Sequence, residues 1–148
     1  MRAVLFGATG MVGQGVLREC LRDPQVTQVL AVGRRPSGAT DQKLVELVRH
    51  DLFDWSDAGA ALTDYDACFF CLGVSAAGMS EADYTRTTYD LTLAAATALV
   101  SPNPGMTFIY ISAQGTDSSE RGRAMWARTS RRGALPRGTS RSWTGGAR

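Results

Sequence analysis

Hydrophobic positions along this chain alternate between short uninterrupted runs and longer stretches of helical spacing. Ala3 to Phe6 is an apolar run closed by Gly7, the pattern of a strand buried on both faces. Val12, Val16, Cys20 and Leu21 then recur at helical spacing until Asp23-Pro24 stops the helix. Val26 to Val32 predicts a second strand ending in Gly33-Arg34-Arg35-Pro36, and Leu44 to Val48 a third that runs into Asp51. A short helix is predicted over Ser56 to Leu62, and a fourth strand over Asp66 to Leu72, closed by Gly73. Ser80-Glu81-Ala82-Asp83 has the spacing of a capping box. It opens a long helix with Tyr84, Thr88, Leu91, Ala95 and Leu99 on one face, ended by Pro102 and Pro104. Met106 to Ile111 predicts a fifth strand that delivers Ser112.

Strands alternating with helices imply an α/β domain with a parallel sheet and right-handed crossovers. The pattern fails after Met125-Trp126. Of the twenty residues from 129 to 148, thirteen are Arg, Gly, Ser or Pro, and there is no Val, Ile or Phe. Such a segment buries too little apolar surface to offset ~1–2 kcal/mol of backbone entropy per residue, so disorder is expected there. The domain is therefore placed at residues 1–128 and a basic tail at 129–148.

Charge sharpens that boundary. Residues 1–120 carry 8 basic and 14 acidic side chains, whereas residues 121–148 carry 8 basic and none acidic. The net +2 thus hides an acidic body and a basic end. The 148 residues suffice for one domain. No apolar run reaches the ~18–20 residues that span a bilayer, and no membrane partner is expected. The apolar N-terminus lacks a basic flank and a small-residue cleavage site, which predicts a cytoplasmic protein. Cys68 and Cys71 form a C-x-x-C inside CFFCLG. A redox pair is one reading; thiols buried in a strand, not facing each other, is the favoured one.

The chemical signal is Gly7-Ala8-Thr9-Gly10-Met11-Val12-Gly13, between the first strand and the first helix. Gly7 allows a tight turn, Gly10 lets backbone approach a pyrophosphate, and Gly13 lets the helix pack on the sheet. The helix N-terminus then offers free N–H groups and a partial positive charge to the anion. A glycine pattern alone is weak, but a buried strand before it and an amphipathic helix after it favour dinucleotide binding over a purely structural turn.

An acid about 20 residues past the glycines would hold the adenosine ribose hydroxyl of NAD. Gly33-Arg34-Arg35 stands there instead. Two guanidiniums suit a 2′-phosphate, so NADP(H) is expected in preference to NAD(H); solvated surface arginines are the other reading. Asp51 and Leu52 are placed for the adenine, although a turn acid fits Asp51 equally well. Leu72 and Gly73, with Cys71, Val74 and Ser75, are expected beneath the cofactor.

Taken together, GATGMVG, VGRR, HDLFD, CFFCLG and IYISAQG resemble the short-chain dehydrogenase/reductases. The resemblance is closest to an atypical branch with a G-x-x-G-x-x-G loop, that of the Tat-interacting oxidoreductase-like proteins and the NAD(P)H-binding epimerase/dehydratase group. It covers roughly residues 1 to 128. It implies a Rossmann fold with strand order 3-2-1-4-5 and further strands, hence a sheet incomplete at its C-terminal side here. It also implies a Ser after the fifth strand that polarises the substrate carbonyl. A Tyr-x-x-x-Lys on the next helix supplies a general acid/base and a cation that lowers its pKa. Ser112 matches the Ser, with a strand-end hydroxyl bonded to backbone as the alternative. Trp126 stands where the Tyr would fall and Ser130 where the Lys would. The single lysine, Lys43, precedes the third strand. Arg128 and Arg131 lack the required spacing.

Two readings compete. One is an NADP(H)-binding protein of the short-chain dehydrogenase/reductase type, an oxidoreductase or epimerase by resemblance, truncated and catalytically incomplete. The other is a non-catalytic dinucleotide-sensing or protein-interaction module. An unidentified small-molecule substrate belongs to the first reading, and a homo-oligomer is left open by both. Nucleic acid is disfavoured because the basic end lacks interleaved aromatics. His50 reads as a surface or turn residue, and no metal-ligand cluster is visible. The abrupt loss of pattern suggests that residues 129–148 are out-of-frame translation or a misassigned terminus.

Overall fold

The computed structural model describes residues 1–74 and 78–111. Ser75, Ser112, Trp126, Ser130 and the 129–148 tail lie outside the described residues, as do the expectations placed on them. Five strands, β1 (Arg2–Phe6), β2 (Gln28–Gly33), β3 (Leu44–Val48), β4 (Ala67–Phe70) and β5 (Thr107–Tyr110), form one sheet in the order β3-β2-β1-β4-β5. Every neighbouring pair is parallel. This is the strand order of a doubly wound, Rossmann-like fold.

The two faces of the sheet carry separate cores. On one, Val4, Phe6, Leu30, Val32, Cys68, Phe70 and Phe108 pack against α3 (Leu91–Val100) through Leu91, Ala95, Ala96 and Leu99. Alanines let that helix lie close to the strands. Phe70 sits between Phe6 and Phe108, with ring centroids 5.1 and 5.9 Å away. On the other face, Leu5, Val29 and Ala31 meet α1 (Met11–Arg22) through Leu17 and Cys20. Cys68 therefore belongs to one core and Cys71 packs against the other, so the C-x-x-C pair is split across the sheet.

Several elements differ in detail from the hydrophobic pattern. Val12 does not face the sheet; it is 43% exposed, and Gly13, Leu17 and Cys20 are the buried positions of α1. Val26 is buried but outside β2, because Asp23 ties Gln25 and Val26 into a turn by accepting both backbone N–H groups. The helix expected over 56–62 is a single 3₁₀ turn, Gly59–Leu62. The N-cap half of the capping box forms, with Ser80 Oγ accepting from the Asp83 N–H at 3.1 Å and donating to Asp83 Oδ2 at 2.6 Å. The helix it opens is interrupted, however: α2 (Glu81–Thr85) passes into a π-helical segment, Arg86–Asp90, before α3. Thr87 and Thr92 donate their hydroxyls to the carbonyls of Asp83 and Thr88 at 2.8 and 2.6 Å, a back-bonding that competes with the helical ladder.

Asn103 locks the far end of this layer. It is 5% exposed and follows α3. Its Oδ1 accepts from the Tyr65 N–H at 2.8 Å, and its Nδ2 donates to the carbonyls of Leu62 and Leu99 at 2.6 and 2.8 Å. One side chain thus satisfies the ends of the 3₁₀ turn and of α3 together.

Candidate cofactor site

The loop after β1 turns on Gly7, whose φ of +81° favours glycine. A Cβ there would stand 2.9 Å from the Cys71 carbonyl group, so the backbone just past β4 also requires the glycine. The Gly10 N–H donates to the Gly7 carbonyl at 2.9 Å, and α1 starts when the Gln14 N–H reaches the Gly10 carbonyl at 2.8 Å. Gln14 Nε2 adds a brace to the Thr9 carbonyl at 3.2 Å. Gly13 is the tightest position: a Cβ on it would lie 2.0 Å from the Gly7 carbonyl oxygen. Gly10 is different. Its nearest protein neighbour would be at 3.4 Å, so the chain itself imposes little on it. Its openness is what backbone approach by a ligand requires.

Among the described residues no side chain caps the start of α1, its first turn holds no acid, and Met11 and Val12 are exposed. The N–H groups of a helix's first turn have no intrahelical partner and suit an anion.

A cavity of about 320 Å³ opens between this loop and the ends of β2 and β3. Gly7, Ala8 and Thr9 form one wall, and Gly33, Arg34 and Arg35 another, with Leu52 and Leu72 below. Arg34 and Arg35 are exposed, and among the described residues their guanidiniums enter no ion pair. A second cavity, of about 460 Å³, shares Arg34, Leu52 and Leu72 with the first and adds Asp51, Phe53, Gly73 and Arg86. The structure thus brings Gly7, Ala8, Thr9, Arg34, Arg35, Asp51, Leu52, Leu72 and Gly73 to a hollow made of two adjoining cavities that share Arg34, Leu52 and Leu72. Gly10, Met11, Val12 and Gly13 adjoin it without lining it. His50 is exposed at the rim of the second cavity.

The floor near Asp51 is held by a polar clip. Arg49 donates to the Asp54 carbonyl at 2.8 Å and to Asp57 Oδ1 at 2.7 Å, with its guanidinium 5.2 Å from the Trp55 ring centroid. The hydrogen bond and charge of Asp57 raise the Arg49 pKa, and the same contact lowers that of Asp57. Trp55 Nε1 donates to the Leu52 carbonyl at 2.9 Å. Asp51 Oδ1 accepts from the Phe53 N–H at 2.8 Å, so Asp51 is a turn acid as well as a cavity residue. Beside Leu72, burial pushes the Cys71 thiol up to about 11.

Three contributors to the hollow escaped the sequence reading. Arg86, from the π-helical segment, lies 5.4 Å from the Phe53 ring centroid, over the second cavity. Ser37 and Glu46 line the first cavity opposite the glycine loop. The signal for Glu46 was present, as the one acid inside the strand LVELV. Among the described residues no group of three or more His, Cys, Asp or Glu side chains converges, and no helix is long and apolar enough to cross a membrane.

Residues 7–137 match the family model described as NAD(P)H-binding. The chain belongs to the NAD(P)H-binding family. Within this family, it is 32% identical over 120 residues to the mitochondrial protein fmp52 of Emericella nidulans, covering 76% of this chain and 51% of that protein. It is 43% identical over 58 residues to the mitochondrial FMP52 of Saccharomyces cerevisiae, covering 38% of this chain and 25% of that protein. The chain thus spans about half the length of the first of these relatives and a quarter of the second. Both are mitochondrial proteins, which overturns the cytoplasmic expectation. That expectation rested on an apolar N-terminus reading as a strand; β1 is a strand, but a buried strand carries no information about compartment.

Solved structures agree on the fold. The UDP-glucuronic acid 4-epimerase of Bacillus cereus, in complex with NAD, superposes with a TM-score of 0.69 at 15% identity, over 90% of this chain and 50% of that one. A short-chain dehydrogenase/reductase superfamily protein from Agrobacterium tumefaciens with bound NAD gives 0.66 at 21%, over 90% and 43%. The glucuronic acid dehydrogenase of Chromohalobacter salexigens gives 0.70 at 15%, over 89% and 52%.

Proposed function

We propose that the chain binds NADP(H) in preference to NAD(H) in the hollow between the glycine loop and the end of β2. The observation that carries this is the placement of Arg34 and Arg35 in the same cavity as Gly7, Ala8 and Thr9. A dinucleotide laid with its pyrophosphate on Gly10 and the first turn of α1 (Met11, Val12, Gly13) brings its adenosine ribose toward those guanidiniums. Asp51 and Leu52 then border the adenine, and Leu72 and Gly73 lie below the cofactor. The donor set fits the group: the N–H groups of the first turn of α1, an open Gly10, and two cations without an ion pair among the described residues.

When bound, the cofactor supplies a hydride donor or acceptor. The chain's own part is to hold and orient it, with Ser112 as the candidate for polarising a substrate carbonyl. Trp126 has no exchangeable phenolic proton and Ser130 no cation, so proton transfer of the Tyr-x-x-x-Lys kind has no carrier at the matching positions. In this reading the protein is an oxidoreductase or epimerase by descent, catalytically incomplete in this form.

Titration with NADPH and NADH by fluorescence tests the binding claim. The wild type is expected to bind NADPH more tightly, and Arg34→Gln with Arg35→Gln to lose roughly tenfold of that affinity while leaving NADH nearly unchanged. Equal affinity for the two cofactors in the wild type would refute the preference. Steady consumption of NADPH with a panel of aldehydes and quinones would refute the incompleteness.

A further inference from the structure

The cavity that holds Arg34 and Arg35 already contains an anion. Glu46 lies in the middle of β3, paired in register with Ala31 of β2, and it lines the first cavity together with Ser37, to which its carboxylate is bonded. Glu46 Oε1 accepts from the Ser37 N–H at 2.8 Å and also from the Ser37 hydroxyl. A backbone N–H, a hydroxyl and two guanidiniums on one rim are the groups that would surround a phosphate. Here the N–H and the hydroxyl are taken by a resident carboxylate.

We infer that Glu46 sets cofactor selectivity by opposing the 2′-phosphate of NADP(H) while tolerating the 2′-hydroxyl of NAD(H). This rests on the reading of the hollow as the dinucleotide site. A 2′-phosphate carries close to two negative charges at neutral pH. In a part-buried cleft its repulsion by a carboxylate is stronger than in bulk water. It also finds Ser37 already engaged, so one of its donors must first be released. A ribose hydroxyl meets neither obstacle, because it is uncharged and can itself donate to the carboxylate. Rossmann sites that hold NAD place an acid at the end of the second strand for this purpose. In this chain Gly33-Arg34 occupies that place, and β3 presents the acid from the neighbouring strand. The site therefore carries both determinants, and the arginine preference for NADP(H) is held in check.

The test uses the full chain and its isosteric variant Glu46→Gln, which keeps an oxygen acceptor for Ser37 and removes the charge. Dissociation constants for NADPH and NADH are measured by fluorescence titration at low and at high salt. The expected result is a roughly tenfold tightening for NADPH with at most a twofold change for NADH, and a smaller shift in selectivity at high salt. Circular dichroism and the urea midpoint confirm that the variant is folded as the wild type is. Wild-type binding with a selectivity ratio that Glu46→Gln leaves unchanged, or moves toward NADH, overturns the inference alone. Failure of the wild type to bind either cofactor removes the dinucleotide reading and this inference with it.

Discussion

Two glycines of α1 lie two residues apart, and the structure gives them opposite responses to the same substitution. At Gly13 an alanine Cβ would sit 2.0 Å from the Gly7 carbonyl oxygen, 2.7 Å from its carbon and 3.1 Å from the Ala8 nitrogen. All three are backbone atoms, so no side chain can swing aside. Ordinary contact begins near 3.4 Å, so the helix and the loop must part by roughly 1.4 Å. Overpacking of this kind costs about 1–3 kcal/mol, at the upper end when backbone must move. Alanine recovers about 1 kcal/mol of helix propensity, leaving a net loss of about 2 kcal/mol. At Gly15 nothing lies within 4 Å, and the propensity gain of about 0.5–1 kcal/mol stands alone. Urea unfolding followed by circular dichroism reads both. With a slope of about 1–3 kcal/mol per molar, the two midpoints should lie about 1–2 M apart, with the wild type between them. Gly13→Ala should also weaken NADPH binding, since it moves the start of α1 away from the loop. A Gly13→Ala midpoint at or above the wild type would show that the helix is not seated on Gly7, and the geometry of the loop would have to be abandoned.

Asn103→Ala removes three buried hydrogen bonds and strands the Tyr65 N–H and the carbonyls of Leu62 and Leu99, so a loss of about 2–4 kcal/mol is expected in the same urea assay; a loss below about 1 kcal/mol would contradict the lock. The thiols should be inert in the native state, because burial raises all three and Cys71 to about 11. A colorimetric thiol reagent at pH 8 should label Cys20 and Cys68 only as fast as the chain unfolds and the half-buried Cys71 slowly, and formation of a Cys68–Cys71 disulfide under mild oxidation would refute the placement of those residues on opposite faces. The same raised pKa fixes a sign for alkaline stability: folded Cys71 keeps its proton between its ordinary value of 9.0 and about 11 while the unfolded thiol loses it, so stability should fall as the pH rises through that window.

The inner strands were legible because a doubly wound sheet buries both of their faces, and an unbroken apolar run such as Ala3–Phe6 has little else it can be; edge strand β3, with Glu46 inside it and no fully buried residue, was legible from its β-branched and aliphatic positions alone. The glycine loop was legible for a related reason: each glycine answers to a different neighbour, and the structure supplies two of them, Cys71 for Gly7 and Gly7 for Gly13. Features set by side-chain hydrogen bonds were not legible. The periodicity of residues 81–100 is helical throughout and gives no hint of the π-helical segment that carries Arg86 over Phe53. Nor could spacing show that Asp23 would hold Val26 out of β2, or that Arg49 would clip the turn bearing Asp51 and Leu52.

The cofactor rule that reads the end of β2 treats selectivity as a property of one strand. In the proposed reading of this site it belongs to two. Parallel pairing of β2 with β3 puts Glu46 beside Ala31, although fifteen positions separate them in the chain. Opposite charges so near one another would be expected to pair, and a pair between Glu46 and Arg34 or Arg35 would cancel the anion site from within. Ser37 stands in the way. By giving Glu46 Oε1 both its N–H and its hydroxyl, it satisfies the carboxylate locally, and among the described residues neither arginine is bound to it. Among the described residues the guanidiniums stay unpaired while the acid has another partner. In the proposed reading, the Ser37–Glu46 contact, and not only the Arg-Arg dipeptide before it, governs how this site meets a phosphate.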